Sequence, residues 1–221
     1  MSRKKIELED GAILPVRRGL WVAAVEKLHE AEAGIHQMVE AQDRIQYEAG
    51  WTRFVDSLEE FWTRFFDEGK SGFSDFQRWA GTQIACRKRE SLLKYLAQAR
   101  HQSQHGRIAL DWEEGLLQVA PGFTGAIRRL QVFEDGTYEF DATPAHSSVP
   151  EPTLVHSPGR PHLPVVENKK HGGSFPPPTM YQGRPLEDQS PVGVARVGMQ
   201  FYSEVLEQAF AEFGSREPAS D

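Results

Sequence analysis

Between positions 51 and 66 the chain reads WTRFVDSLEEFWTRFF. Trp51, Phe54, Val55, Leu58, Phe61, Trp62, Phe65 and Phe66 follow the i, i+3, i+4, i+7 rule for about four turns. A helix gathers these side chains on one stripe, whereas a strand divides them between two faces. A stripe of rings this dense must be covered, so the segment belongs at the centre of a helical core. No Gly-rich phosphate loop accompanies it, which sets aside a cofactor box.

Other stretches carry the same period. Residues 19 to 47 read as a first long helix through Leu20, Val22, Val25, Leu28, Ile35, Met38 and Val39, with Gly34 weakening its middle. Ser74 can cap a third helix carrying Phe76, Trp79, Ala80 and Ile84. This helix runs on, with a break near Arg87 to Arg89, into Leu92, Leu93, Leu96 and Ala99, and Gly106 supplies a stop. Pro191 suits a helix start, and Val194, Val197, Phe201, Tyr202, Val205, Leu206, Ala209 and Phe213 mark a closing helix to residue 213.

Between these helices the pattern changes. Leu116, Leu117 and Val119, then Ala126 to Phe133 and Thr137 to Phe140, read as short strands, and the Asp-Gly pair of EDGT suits a hairpin. From Asp141 to Ser190 the chain is dense in Pro, His, Ser and Gly and reads as a long surface loop. The expectation is a mainly α fold in a single domain, 1–215. It comprises a helical bundle over 17–107, a small β segment over 108–141, a Pro/His-rich loop over 142–190 and a C-terminal helix over 191–213. A chain of 221 residues can bury such a core without staples.

Charge and cysteine usage narrow the function. Cys86 is the sole cysteine, so no intrachain disulfide forms and no thiolate zinc site is suggested. The N-terminus has no apolar run after its basic residues, and no window of eighteen apolar residues occurs. The expected location is cytoplasmic, with no membrane partner. A formal net charge of −7 argues against a broad nucleic-acid-binding surface. Yet Arg87, Lys88, Arg89, Lys94, Arg100 and Arg107 stand against the single acid Glu90 in one short stretch. That island fits either a polyanion meeting one surface or a solvated helix end where the dipole favours cations.

The island contains YLAQARHQSQHGR, Tyr95 to Arg107. Positions five apart on a helix differ by about 140°, so Arg100 and His105 converge only if the helix ends between them or if two copies of the motif meet. His101 and His105, four apart, differ by about 40° and share a face. Metal-free RNA cleavage needs a base for the 2′-hydroxyl proton, an acid for the leaving 5′-oxygen and a cation for the phosphorane oxygens. Histidine suits the first two roles near neutral pH, and the arginine fork suits the third. A two-fold axis would double the set and supply both acid and base from one element.

An Arg, a polar residue directly after it, and a His with four to six residues between Arg and His, on a helical bundle of this size, resembles the HEPN superfamily. The match is Arg100, His101 and His105, approached by the apolar LLKYLAQAR. It covers roughly residues 17 to 107, with the C-terminal helix as a candidate extension, and leaves out the β and Pro-rich segments. The resemblance implies a metal-independent endoribonuclease, as in toxin–antitoxin pairs, phage defence and RNA-guided CRISPR nucleases, with a composite site at a homodimer interface. It implies that Arg100 and His105 are catalytic with His101 as polar companion, and that no cofactor is needed; the island residues Arg87, Lys88, Arg89, Lys94 and Arg107 are then the expected RNA-binding residues. An antitoxin or other protein partner belongs to the same picture. Members that have lost catalysis persist as dimerisation or interaction modules, which is the alternative.

Three further readings compete. His101 and His105 have the spacing of two metal ligands, with His146, His156, His162 and His171 available for a third, but no HExxH occurs. Cys86 lies beside basic residues that could lower its pKa, on a helix whose apolar neighbours suggest partial burial. The PPPT stretch suits either a partner's polyproline groove or a rigid surface connector.

Overall fold

The computed structural model describes residues 5–7, 13–15, 20–103, 110–113, 116–119, 123–132, 138–146, 154–157, 159–168 and 172–215. Five helices dominate them: α1 (Val22–Glu40), α2 (Arg44–Gly72), α3 (Phe76–Arg89), α4 (Ser91–Ser103) and α5 (Pro191–Phe213). The fold is mainly α. None of these helices is long and apolar enough to cross a membrane. The chain groups into two compact units, Met1–Asp111 with His162–Asp221, and Trp112–Pro161.

In the first unit, α2 is the central element. Trp51, Phe54, Val55, Leu58, Phe61, Trp62, Phe65 and Phe66 are all buried, as their spacing requires. Around Phe65 the rings of Trp21, Phe61, Phe76 and Trp79 close a cluster with centroids 5.4 to 6.3 Å away. Phe213 of α5 joins through Phe73 and Phe76. Trp21 precedes α1 at φ 51, a left-handed backbone uncommon for a bulky residue. Burial of its ring and an indole N–H bond to the Phe65 carbonyl at 3.0 Å hold it there.

The helix expected over 19–47 is two helices. Ala41 turns the chain into extended backbone, and Asp43 caps α2 by accepting from the Gln46 amide at 2.7 Å. The Gln46 side chain in turn accepts from the Gln42 amide at 3.2 Å, a capping arrangement related to the S/T-x-x-E/Q box. The expected break near the basic cluster falls at Glu90, which is extended between α3 and α4. The third helix begins after Asp75 rather than Ser74. The closing helix has its expected bounds, with Ser190 accepting from the Gly193 amide at 3.1 Å and Pro191 in the first turn.

The Pro-rich stretch is more regular than its composition suggests. Val166–Glu167 pairs with Ser174–Phe175, and Met180–Tyr181 pairs with Arg184–Pro185. The second pair turns at Gln182 (φ 49) and Gly183 (φ 76), the two left-handed positions of a tight hairpin turn. This stretch lies along α4: Tyr95 donates to the Pro164 carbonyl at 2.9 Å, Asn168 to the Gln98 side chain at 2.7 Å and Ser91 to the Met180 carbonyl at 3.4 Å. Leu163, Val166 and Pro178 are buried.

The second unit is built of antiparallel strand pairs. Gly125–Val132 pairs with Tyr138–Pro144, with an irregularity between Ile127 and Arg129, and Leu116–Val119 pairs with Leu154–Ser157. Both strands expected to flank EDGT are present. The turn itself, residues 133–137, lies outside the described residues.

Candidate functional site

α4 carries the motif. Its apolar positions Leu92, Leu93, Leu96 and Ala99 are buried, which fixes the rotation of the helix and turns Lys94 outward. Arg100 then falls at the edge of the buried face, with 23% of its side chain exposed, and its Nε stands 4.0 Å from Oδ1 of Asp56 on α2. A guanidinium is thus brought to a carboxylate by two helices whose faces are set by packing. His101 lies within α4, but its side chain is outside the described residues, as are His105 and Arg107 altogether. The structure therefore places one of the three motif side chains.

The other basic residues divide into two groups. Lys88, Arg89 and Lys94 are exposed, with Arg89 Nε 3.2 Å from Glu90 on the same surface. Arg87 is turned inward. Its Nε donates to the Tyr202 hydroxyl at 2.9 Å, its Nη2 pairs with Glu59, and its guanidinium lies 4.8 Å from the Trp62 ring centroid. The sequence alone assigns Arg87 to a polyanion surface. The structure shows it as a tie between α2, α3 and α5, with donors at Nη1 beyond those two bonds.

Burial opposes the Arg87 charge, and Tyr202 with Glu59 outweighs it, so the guanidinium is held charged. Burial pushes the Tyr202 phenol from 10.0 up to about 12, against the opposing pull of Arg87. A phenol whose pKa is raised by folding contributes its full stability below the unfolded value of 10.0, and loses it as pH climbs through about 12. Tyr47 and Tyr181 are raised to about 12, chiefly by burial, and act in the same direction. Denaturant unfolding from pH 9 upward is therefore expected to show a fall in stability beginning near pH 10, with ultraviolet absorbance reporting tyrosinate formation late and together with unfolding. Flat stability to pH 12 would contradict this burial.

Cys86 is half-buried, and burial with the nearby Glu90 pushes its thiol up, Arg89 notwithstanding. The basic neighbours do not make it a thiolate nucleophile. Among the described residues, no three His, Cys, Asp or Glu side chains gather as metal ligands would. The His101 side chain and His105, on which the metal reading rests, lie outside them, as does His171 among the candidates for a third ligand.

Several residues of this region escape a reading of the sequence. Asp56 and Glu59 sit on the polar side of α2, where charged residues are ordinary, and only the arrival of α3 and α4 gives them arginines. Trp62, Ile84, Ala97 and Gln98 line a pocket of about 250 Å³ together with Arg87, Lys88 and Lys94. By spacing alone, Trp62 and Ile84 are simply core. Comparison with protein families, curated proteins and solved structures found no match to this chain. What the fold and this region define is a mainly helical bundle with a basic face along α3 and α4.

Proposed function

We propose that the chain is a metal-independent endoribonuclease of HEPN type, acting as a homodimer in which Arg100 and His105 of two copies form one site. The observation that carries this reading is Arg100 itself: a largely buried side chain near the end of α4, its Nε 4.0 Å from Asp56, on the same helix as exposed Lys94. A cation held in place before the reaction is what a phosphorane needs, because no reorganisation is then required as charge develops. In this scheme the 2′-oxygen attacks phosphorus and the bond to the 5′-oxygen breaks, leaving a 2′,3′-cyclic phosphate and a 5′-hydroxyl. One His105 removes the 2′-hydroxyl proton, the other protonates the leaving oxygen, and Arg100 balances the phosphorane charge, with His101 as auxiliary. Lys88, Arg89, Lys94 and Arg107 guide the backbone. A role as a toxin or defence nuclease, with a neutralising protein partner, is part of the same proposal.

The test is RNA cleavage by the purified chain in EDTA. Arg100→Ala and His105→Ala are each expected to lower the rate at least about a hundredfold, with helicity and dimerisation unchanged, and His101→Ala to be milder. Undiminished cleavage by both would end the proposal. Growth slowed by the wild type and not by the double variant would tie the activity to toxicity.

One observation favours a second reading, a dimeric module without catalysis. Asp56 already gives Arg100 an anion at 4.0 Å, so a phosphate must compete with it. A stable dimer that leaves RNA intact selects the module.

A further inference from the structure

We infer that the pocket between α2, α3 and α4 is a binding site for a small ligand that joins one flat ring to an anionic group. It shares Lys88 and Lys94 with the proposed RNA path but needs neither Arg100 nor His105, so loss of one reading leaves the other testable. Trp62, Ile84 and Ala97 give the pocket apolar walls together with the carbon stems of Arg87, Lys88 and Lys94; Arg87 is already paired with Glu59, so Lys88 and Lys94 are the cations left for an anion. Its volume of about 250 Å³ lies just below the usual range of about 300–1,000 Å³ for small-molecule sites, which suits a single ring system.

Two features distinguish the pocket from a gap between helices. Arg87 is held over the Trp62 ring at 4.8 Å by Tyr202 and Glu59, so one wall is a guanidinium fixed in place. The Gln98 side-chain oxygen accepts from Asn168 at 2.7 Å, which holds that amide in place at the pocket's lining. Lys88 at the end of α3 and Lys94 on α4 are exposed and both belong to the pocket's lining. A ring against the apolar wall with its anion between Lys88 and Lys94 satisfies both kinds of surface, while a neutral apolar ligand would leave the two lysines unused.

Nucleoside monophosphates and aromatic carboxylates share this chemistry. Calorimetric titration with 5′-UMP and, separately, with indole-3-acetate distinguishes them. Saturable binding of either probe is expected, weakening with added salt. Lys88→Glu/Lys94→Glu, at two exposed positions, is expected to weaken it at least about tenfold. Ala97→Trp, which fills the pocket, is expected to abolish it. Binding of 5′-UMP alone assigns a nucleotide, binding of indole-3-acetate alone assigns an aromatic acid, and binding of both leaves the shared class standing. If neither binds, or if binding survives the charge reversal unchanged, the inference is overturned. The charge-reversed variant decides the matter even if Ala97→Trp does not fold.

Discussion

Phe65→Ala is expected to lower the folding free energy by about 3–5 kcal/mol. The ring is wholly buried. It lies where the residue preceding α1 meets α2 and α3: stacked on Trp21 at 5.5 Å, beside Phe61 of its own helix at 5.6 Å, and edge-on to Phe76 at 5.4 Å. Deleting it removes apolar transfer energy and leaves a void, and the surrounding rings cannot collapse into the void without losing their own partners. Trp21 suffers twice, because its left-handed backbone is held by that packing. Ile45→Ala removes a side chain that is 79% exposed and is expected to change stability by no more than about 0.5 kcal/mol. Urea unfolding of both variants measures the difference. A loss below about 1 kcal/mol for Phe65→Ala would mean that the aromatic cluster is not the centre of the core.

That cluster is legible in the sequence, since eight large side chains on one helical stripe leave few other solutions. The closing helix is equally plain, with Ser190 and Pro191 marking its start. The division between α1 and α2 is also written in the chain. Asp43 with Gln46 three residues later is a start signal, but the apolar period runs past it and masks it. In the Pro-rich stretch, composition likewise masks the turn at Gln182 and Gly183. What holds that stretch comes from elsewhere: Tyr95, Gln98 and Ser91 on α4 engage Pro164, Asn168 and Met180, all at least 69 residues away. No local pattern records such bonds.

The site is legible in part. The basic island and Arg100 stand out by type and spacing, and Lys88, Arg89 and Lys94 are indeed exposed. The inward turn of Arg87 does not stand out, because a lysine or arginine in a helical run looks the same whether it meets water or a distant carboxylate. Glu59 is 28 residues from Arg87 and Tyr202 is 115. The pocket is hidden for the same reason: its seven lining residues come from three helices, and each taken alone reads as core or surface.

Gly34 gives the sharpest disagreement between local rule and tertiary structure. By helix propensity, Gly34→Ala in the middle of α1 should stabilise by about 0.8–1 kcal/mol. In the fold, a Cβ at Gly34 would stand 2.7 Å from the Phe54 amide nitrogen and 2.8 Å from the Gly50 carbonyl oxygen, and a Cβ at Gly50 would stand 2.8 Å from the Gly34 carbonyl oxygen. The two glycines face each other where α1 crosses α2, and the atoms in the way are backbone, which no rotamer change can move. The helices must separate, and the rings seated on α2 separate with them. Gly34→Ala is therefore expected to destabilise by about 3 kcal/mol, and Gly34→Leu to leave no cooperative unfolding transition. Gly81 provides the control: it sits inside α3 with nothing within 4 Å of a built Cβ, so Gly81→Ala should follow propensity and stabilise by about 0.5–1 kcal/mol. Thermal and urea unfolding of the two alanine variants must move in opposite directions. Were Gly34→Ala to stabilise as Gly81→Ala does, α1 and α2 could not cross this closely, and the burial of Met38, Phe54 and Trp51 that follows from the crossing would have to be redrawn.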